Sequence, residues 1–244
     1  MLDRTIAPAF QRVEKIDLVK AQTLTLSNGV KIHTINVGEQ DILLVHVYAK
    51  GGIVHQPAPL IARMAAGAIT EGTINHTAKQ IADTVSFYGA ELDGASDAKY
   101  TKINLACLGK HFEALLPLFF EIAYHPTFPM EELERKKQQF QQNLMVNKQK
   151  TSWLASSALE GALYGTQHPY GRTPIATDAD NVFTESLKQF HSRTFANDLP
   201  EIVIAGKVTD MHLQLLEEYF GARTYYPIED VGAPMPEGSS ELLH

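Results

Sequence analysis

The sequence predicts an α+β domain: a largely antiparallel sheet packed on one side by helices, as a two-layer sandwich. Three observations predict it. An Asn28-Gly29 turn joins two alternating segments near the start, so a hairpin rather than a βαβ crossover opens the fold. Thr101, Ile103 and Leu105 alternate with Lys102 and Asn104, the pattern of a sheet with one solvated face. Segments of helical period then follow one another from residue 110 onward, where strands would alternate with helices in a parallel fold.

The elements follow in order. Gln22–Leu26 and Val30–Asn36 are the hairpin strands. Asp41–Ala49 is apolar on both faces apart from His46, as a central strand would be. Leu60–Ile69, rich in Ala and Met, reads as a buried helix. Thr77 opens another, with Gln80 in the capping-box position, Ile81, Val85 and Tyr88 on one face, and Gly89 as its stop. Glu91–Ala95 and Ala98–Leu108 are strands, and Lys110–Ala123 is a helix whose Phe119-Phe120 pair belongs to the core. The run His125-Pro126-Thr127-Phe128-Pro129 interrupts helix, because proline disfavours the helical conformation in its predecessor. A long helix runs from Met130 to Lys148 with Leu133, Phe140 and Leu144 on its apolar face, and Arg135, Lys136 and Lys137 are expected on a solvated one. Ser152–Tyr164 and Thr184–Phe195 are helices, Glu201–Ala205 a strand and Thr209–Phe220 the last helix. The tail from Tyr225 carries Pro227, Pro234 and Pro236 with glycines and serines and reads as a linker.

Composition narrows the function classes. At 244 residues with 44% apolar and 20% charged residues, the chain buries a core without staples. A net charge of −7 with no Lys/Arg cluster is no nucleic-acid footprint. The longest apolar runs, Ile42–Val45 and Leu115–Phe120, are too short to span a bilayer, and Met1 to Phe10 holds no secretory apolar core, so the expected location is cytoplasmic by default. The lone Cys107 lies in an apolar strand and is expected to be a buried, inert thiol. None of the ten histidines forms an H-E-x-x-H or any pair four residues apart. His125 and His168, beside prolines in loops, are expected to have turn and packing roles.

The order of landmarks resembles the pitrilysin/insulinase zinc metallopeptidases, the inverzincins, which include the mitochondrial processing peptidases. They are Leu26-Ser27-Asn28-Gly29-Val30, Gly72-Thr73, Gly89-Ala90-Glu91-Leu92-Asp93-Gly94, Tyr100-Thr101, His125-Pro126-Thr127-Phe128-Pro129, Glu132-Leu133-Glu134-Arg135, His168-Pro169-Tyr170-Gly171-Arg172 and the strand Ile202–Gly206. The resemblance runs from Gln22 to Phe220 and corresponds to an N-terminal-type domain of that family. It implies a single domain over residues 1–224, with a core of about 20–222. Residues 225–244 would then be a linker toward a second domain absent from this sequence.

Members of the family rest their activity on H-x-x-E-H on the first core helix, where two histidines hold zinc and the glutamate is the general base. A glutamate of the long helix completes the ligands, and a carboxylate two turns upstream supports the site. Counted from Gly72-Thr73, the motif falls on Arg63-Met64-Ala65-Ala66-Gly67; counted from Arg135, the third ligand falls on Asn143 and the supporting carboxylate on Lys136. Arg63, Ala66, Gly67, Lys136 and Asn143 therefore stand where the chemistry should be. Arginine stays protonated and has no lone pair for a metal, alanine and glycine have no donor, and an amide oxygen is a poor zinc ligand. His55, Glu71 and His76, the nearby alternatives, share no helical face. If Arg63 and Lys136 both point inward, the pocket is cationic and suited to an anion. Family resemblance also places Asp93, Gly94, Ala95 and Ser96 on the strand that pairs with a substrate peptide in active relatives.

The resemblance thus implies a non-catalytic domain or subunit with no zinc cofactor. It would support substrate binding or assembly beside a catalytic sister subunit or a second clamshell domain, with a peptide substrate and with neither nucleic acid nor membrane as partner. Two alternatives remain: a zinc endopeptidase whose site is non-standard or completed by a partner, and a structural scaffold like the core subunits of respiratory complexes.

Overall fold

The computed structural model describes residues 19–230, 232 and 234. The segment Met1 to Phe10, and residues 231, 233 and 235–244 of the expected linker, lie outside the described residues. Strands β1 (Gln22–Thr25), β2 (Lys31–Asn36) and β3 (Ile42–Lys50) lead to helices α1 (Ile61–Gly67) and α2 (Ala78–Phe87). Strands β4 (Glu91–Ser96) and β5 (Tyr100–Leu108) follow, then α3 (Phe112–Tyr124), α4 (Met130–Asn147), α5 (Thr151–Tyr164) and α6 (Thr184–Arg193). Strand β6 (Glu201–Gly206) and helix α7 (Asp210–Leu216) complete the order.

The strands form one sheet in the order β1-β2-β6-β3-β5-β4. Every pairing is antiparallel except β2 with β6, because the last strand inserts between the hairpin and β3 rather than adding to an edge. The period-two alternation decides which face is covered. Ile32, Leu43, Val45, Val47, Ile103, Leu105, Ile202 and Ile204 are buried on one face beneath Leu115 and Phe119 of α3, Leu216 of α7 and the following Phe220. The sequence pattern of β3 suggested burial on both faces. The strand is central in its pairing, yet Ile42 and Leu44 on its second face remain about 40% exposed, since the covering helices all pack on the other side.

Several sequence landmarks are joints of this frame. Gly29, at φ +93°, makes the hairpin turn that a side chain would strain. Asn28 Nδ2 donates to the carbonyls of Phe220 and Arg223, both at 2.8 Å, so the first turn holds the end of the last helical segment. That segment is α-helical only to Leu216; Glu217–Gly221 is a wider π turn, which lets Phe220 pack edge-on against Phe120 at 5.4 Å. Thr77 and Gln80 form the capping box of α2. Cys107 is buried, which pushes its thiol up to about 11.

Gly72-Thr73 is joined to the His125-Pro126 loop by an isolated bridge between Thr73 and Pro126. Beneath it, Glu121 of α3 accepts hydrogen bonds from Thr73 Oγ1, from Asn75 N at 3.0 Å and from His76 Nδ1 at 3.2 Å. Burial alone would raise this carboxyl, but the hydrogen bonds outweigh it and hold the group at about 2, below its ordinary 4.5. A depressed folded-state pKa contributes stability that is complete above the unfolded value and lost as pH falls through the folded one. Glu121→Gln should therefore flatten the acid limb of the unfolding free energy between about pH 4.5 and 2, measured by urea titrations across that range.

Candidate functional site

Helix α1 buries Ile61, Ala62, Met64, Ala65 and Ala66, while Arg63 and Gly67, four residues apart, share its exposed face. It starts from Leu60 in the left-handed conformation, φ 71°, a strain held by the burial of the Leu60 side chain. On one side the helix is seated against β4. A Cβ on Gly94 would stand 2.4 Å from the Ala66 carbonyl oxygen and 2.8 Å from Ile69 Cγ2, so only glycine lets strand and helix meet this closely. On the other side it joins Phe128, Leu133, Leu187 and Phe190 in a second core, separate from the one under the sheet.

The exposed edge of α1 faces a cavity of about 700 Å³ bounded by α4, α5 and the loop that follows α5. Arg63 and Asn143 both line it. Ala66 is buried against β4 and Gly67 is exposed beyond the lining.

Lys136 is not in the cavity. Its Nζ lies 2.8 Å from Glu71 Oε1, and Arg135 Nη2 lies 2.8 Å from Glu71 Oε2. The expectation of a cationic pocket built from Arg63 and Lys136 is overturned: the carboxylate just beyond α1 captures the lysine. The solvated-face expectation for this basic run holds for Arg135, which is exposed, and fails at Lys137. Lys137 is buried, pairs with Glu134 at 2.7 Å and lies over the Phe183 ring at 5.4 Å.

Zinc does not fit this donor set. Arg63 offers no lone pair, Asn143 one neutral oxygen, and Glu160 of α5 adds a single carboxylate to the lining. Among the described residues no group of three or more His, Cys, Asp or Glu is placed to hold a metal ion. His76 is committed to Glu121, and His55 lies outside the lining.

The far wall was not foreseen. Trp153, Ser156, Ser157, Glu160 and Tyr164 of α5 all line the cavity, and their three- and four-residue spacing was the signal that marks them as one helical face. The loop beyond α5 is fixed by a fork: Arg172 donates to both carboxylate oxygens of buried Asp178 at 2.9 and 2.7 Å. The guanidinium holds that carboxyl below the usual range, with Ile175 N adding a bond at 2.8 Å. His168 has the structural place expected of it. Its ring stacks on Tyr164, one ring nitrogen accepts from Tyr170 N at 3.1 Å, and the other donates to the Pro234 carbonyl at 2.8 Å. The described part of the tail is thus laid along the domain, with Ile228 N donating to Asp198 and Pro234 reaching His168.

Asp93, Gly94, Ala95 and Ser96 lie on β4, the outermost strand of the order, so its outer edge has no strand partner among the described residues. Asp93 accepts from Asn104 Nδ2 at 2.7 Å, and Gly94 faces α1.

Residues 61–176 match the family model of insulinase, peptidase family M16. An uncharacterized zinc protease of Bacillus subtilis, YmxG, is 22% identical over 202 residues, covering 81% of this chain and 49% of that protein. Among solved structures, a peptidase M16 inactive domain from Pseudomonas fluorescens superimposes with a TM-score of 0.79 at 24% identity, covering 89% of this chain and 54% of the other. A protease from Helicobacter pylori gives 0.77 at 18% identity, with 90% and 54% covered. The ferredoxin protease FusC, as a point mutant in complex with Arabidopsis ferredoxin, gives 0.71 at 12%, with 97% and 28% covered. The fold is common to all three structures, and the chain spans about half the length of the first relatives it matches.

Two glycines test the seating of α1. Gly94→Ala should lower the unfolding free energy by about 1–3 kcal/mol through overpacking. Gly67→Ala, with nothing within 4 Å of its Cβ position, should leave stability unchanged or raise it by roughly 0.5–1 kcal/mol. Urea unfolding of both variants measures the contrast.

Proposed function

We propose, from the premise that the chain belongs to the insulinase family of peptidases, M16, that it is a non-catalytic member acting as the supporting half of a peptidase. The observation that carries this is the cavity beside α1, which Arg63 and Asn143 line in place of metal ligands and where the expected place of the general base is held by Ala66, Glu160 being the one carboxylate of the lining. A water could be neither polarised by a metal nor deprotonated by Ala66. Parts suited to holding a polypeptide remain. The free edge of β4 offers backbone donors and acceptors to an extended segment, with Asp93, Gly94, Ala95 and Ser96 as its contact strand. Trp153, Tyr164 and Tyr170 offer aromatic surface within the cavity.

The half-length match to its relatives supports a paired organisation, in which residues 1–224 form one domain and a second domain or a catalytic sister chain supplies the zinc site. That one structural neighbour is described as an inactive M16 domain supports the non-catalytic half of the reading. A second neighbour crystallised with a protein bound supports the substrate-holding half.

The test is a fluorogenic-peptide assay on the chain alone and mixed with an H-x-x-E-H-bearing family member from the same organism. Alone, the chain should give no turnover above the blank. Mixed, it should raise the sister's kcat/KM by about tenfold or more, the scale that substrate positioning supplies. Chelator-sensitive turnover by the isolated chain would overturn the proposal.

A further inference from the structure

The cavity beside α1 carries two opposite charges that do not neutralise each other. Arg63 lines it from α1 and Glu160 from α5, on the far wall. Among the described residues neither has an ion-pair partner within 4 Å, so they do not pair across the space. The third charged residue of the lining, Arg172, gives its fork to Asp178. One cation and one anion, on different helices, are left for a ligand.

That pair selects a class of ligand. A phosphate or other multiply charged anion would satisfy Arg63 and be repelled by Glu160, and a metal ion or polyamine the reverse. A ligand with a carboxylate at one end and an ammonium at the other satisfies both. Phe140, Trp153, Tyr164 and Tyr170 also line the space and offer flat apolar surface to a side chain. Asn143 and Asn147, one turn apart on α4, line it too. The Asn143 amide has no hydrogen-bond partner among the described residues, and Asn147 keeps its amino group after its oxygen accepts from Lys150 at 2.9 Å. A side-chain amide has both the donor and the acceptor that a peptide bond calls for. The volume, about 700 Å³, is that of a small-ligand site. A single amino acid holds both charges on one carbon, whereas a peptide separates them by about 3.3–3.6 Å per residue.

We infer that the cavity binds short peptides with both ends free. The carboxylate sits on Arg63, the ammonium on Glu160, and an apolar or aromatic side chain lies against Trp153. The inference rests on the polypeptide-holding part of the reading proposed above. It adds that the cavity reads the two ends of a peptide, and so takes released fragments rather than the middle of an intact chain.

Trp153 is the single tryptophan of the sequence, so its emission reports on the site. The experiment titrates the full chain, by fluorescence and by calorimetry, with the tripeptide Ala-Leu-Phe in four forms: ends free, N-acetylated, C-amidated and doubly capped. The free form should bind saturably and shift the Trp153 emission. Each cap should weaken binding by about tenfold, the scale of one charge-assisted hydrogen bond. Arg63→Gln should remove the effect of the C-terminal amide alone, and Glu160→Gln that of the acetyl group alone. A purely structural role for either residue would weaken all four forms alike and would overturn the inference. Displacement of the free tripeptide by inorganic phosphate would also overturn it, in favour of a plain anion site. Equal affinity for the free and doubly capped forms overturns the reading of the ends and leaves polypeptide holding in place. Absence of saturable binding by any form overturns the inference and the cavity's part in polypeptide holding together.

Discussion

The contact of α1 with β4 through Gly94 is the constraint on which the rest of the site depends. The strand can approach the Ala66 carbonyl only because no side chain intervenes. That approach buries one face of α1 against the sheet and leaves Arg63 and Gly67 on the other. The remaining apolar residues of α1 then need a second set of partners, which Leu133 of α4 and Leu187 and Phe190 of α6 provide. The cavity is the space left where α4 and α5 pass the exposed edge of the helix. Its existence follows from backbone packing and requires no ligand.

In the zinc peptidases that the sequence resembles, a metal would join the first core helix to the long one, and metal affinity is itself folding free energy. This chain joins the same elements by other means. Glu71, just beyond α1, takes Arg135 and Lys136 of α4 as partners, and the second core holds the two helices apolar side to apolar side. Removing one partner of so enclosed a carboxylate would leave the charge uncompensated. Lys136, expected from the resemblance to stand in place of a supporting carboxylate, therefore has a structural occupation of its own. The far wall is secured in the same spirit, by Arg172 on Asp178 and by His168 between Tyr164 and Pro234. The cavity is a framed space whose frame is independent of metal.

Much of this was legible in the sequence because it depends on local rules. The Asn28-Gly29 turn, the Thr77–Gln80 capping box and the alternation along β5 each fix an element from a few neighbouring residues. Arg63 and Asn143, singled out by counting from ordered landmarks, line one cavity, whereas Lys136 does not. What was not legible depends on partners distant in sequence. Nothing near Lys136 announces that Glu71, 65 positions earlier, will claim it. The exposure of Ile42 and Leu44 depends on which side all the helices choose, which the strand cannot encode alone. Helix α5 was recognisable as a helix, but its orientation, polar side toward the cavity, reverses the usual rule and emerges only with the fold in view.

The central claim is that the cavity beside α1 has lost the capacity to hold zinc while its frame is intact. Its most direct test is the zinc content of the chain after equilibration with excess zinc and removal of the free ion. A version carrying Arg63→His, Ala66→Glu, Gly67→His and Asn143→Glu is measured alongside. The account predicts no stoichiometric zinc on the unaltered chain and one ion per chain on the altered one, since positions 63 and 143 line one space and position 67 shares the exposed face of α1 with position 63. One zinc per unaltered chain, bound through the side chains that line the cavity, would contradict it.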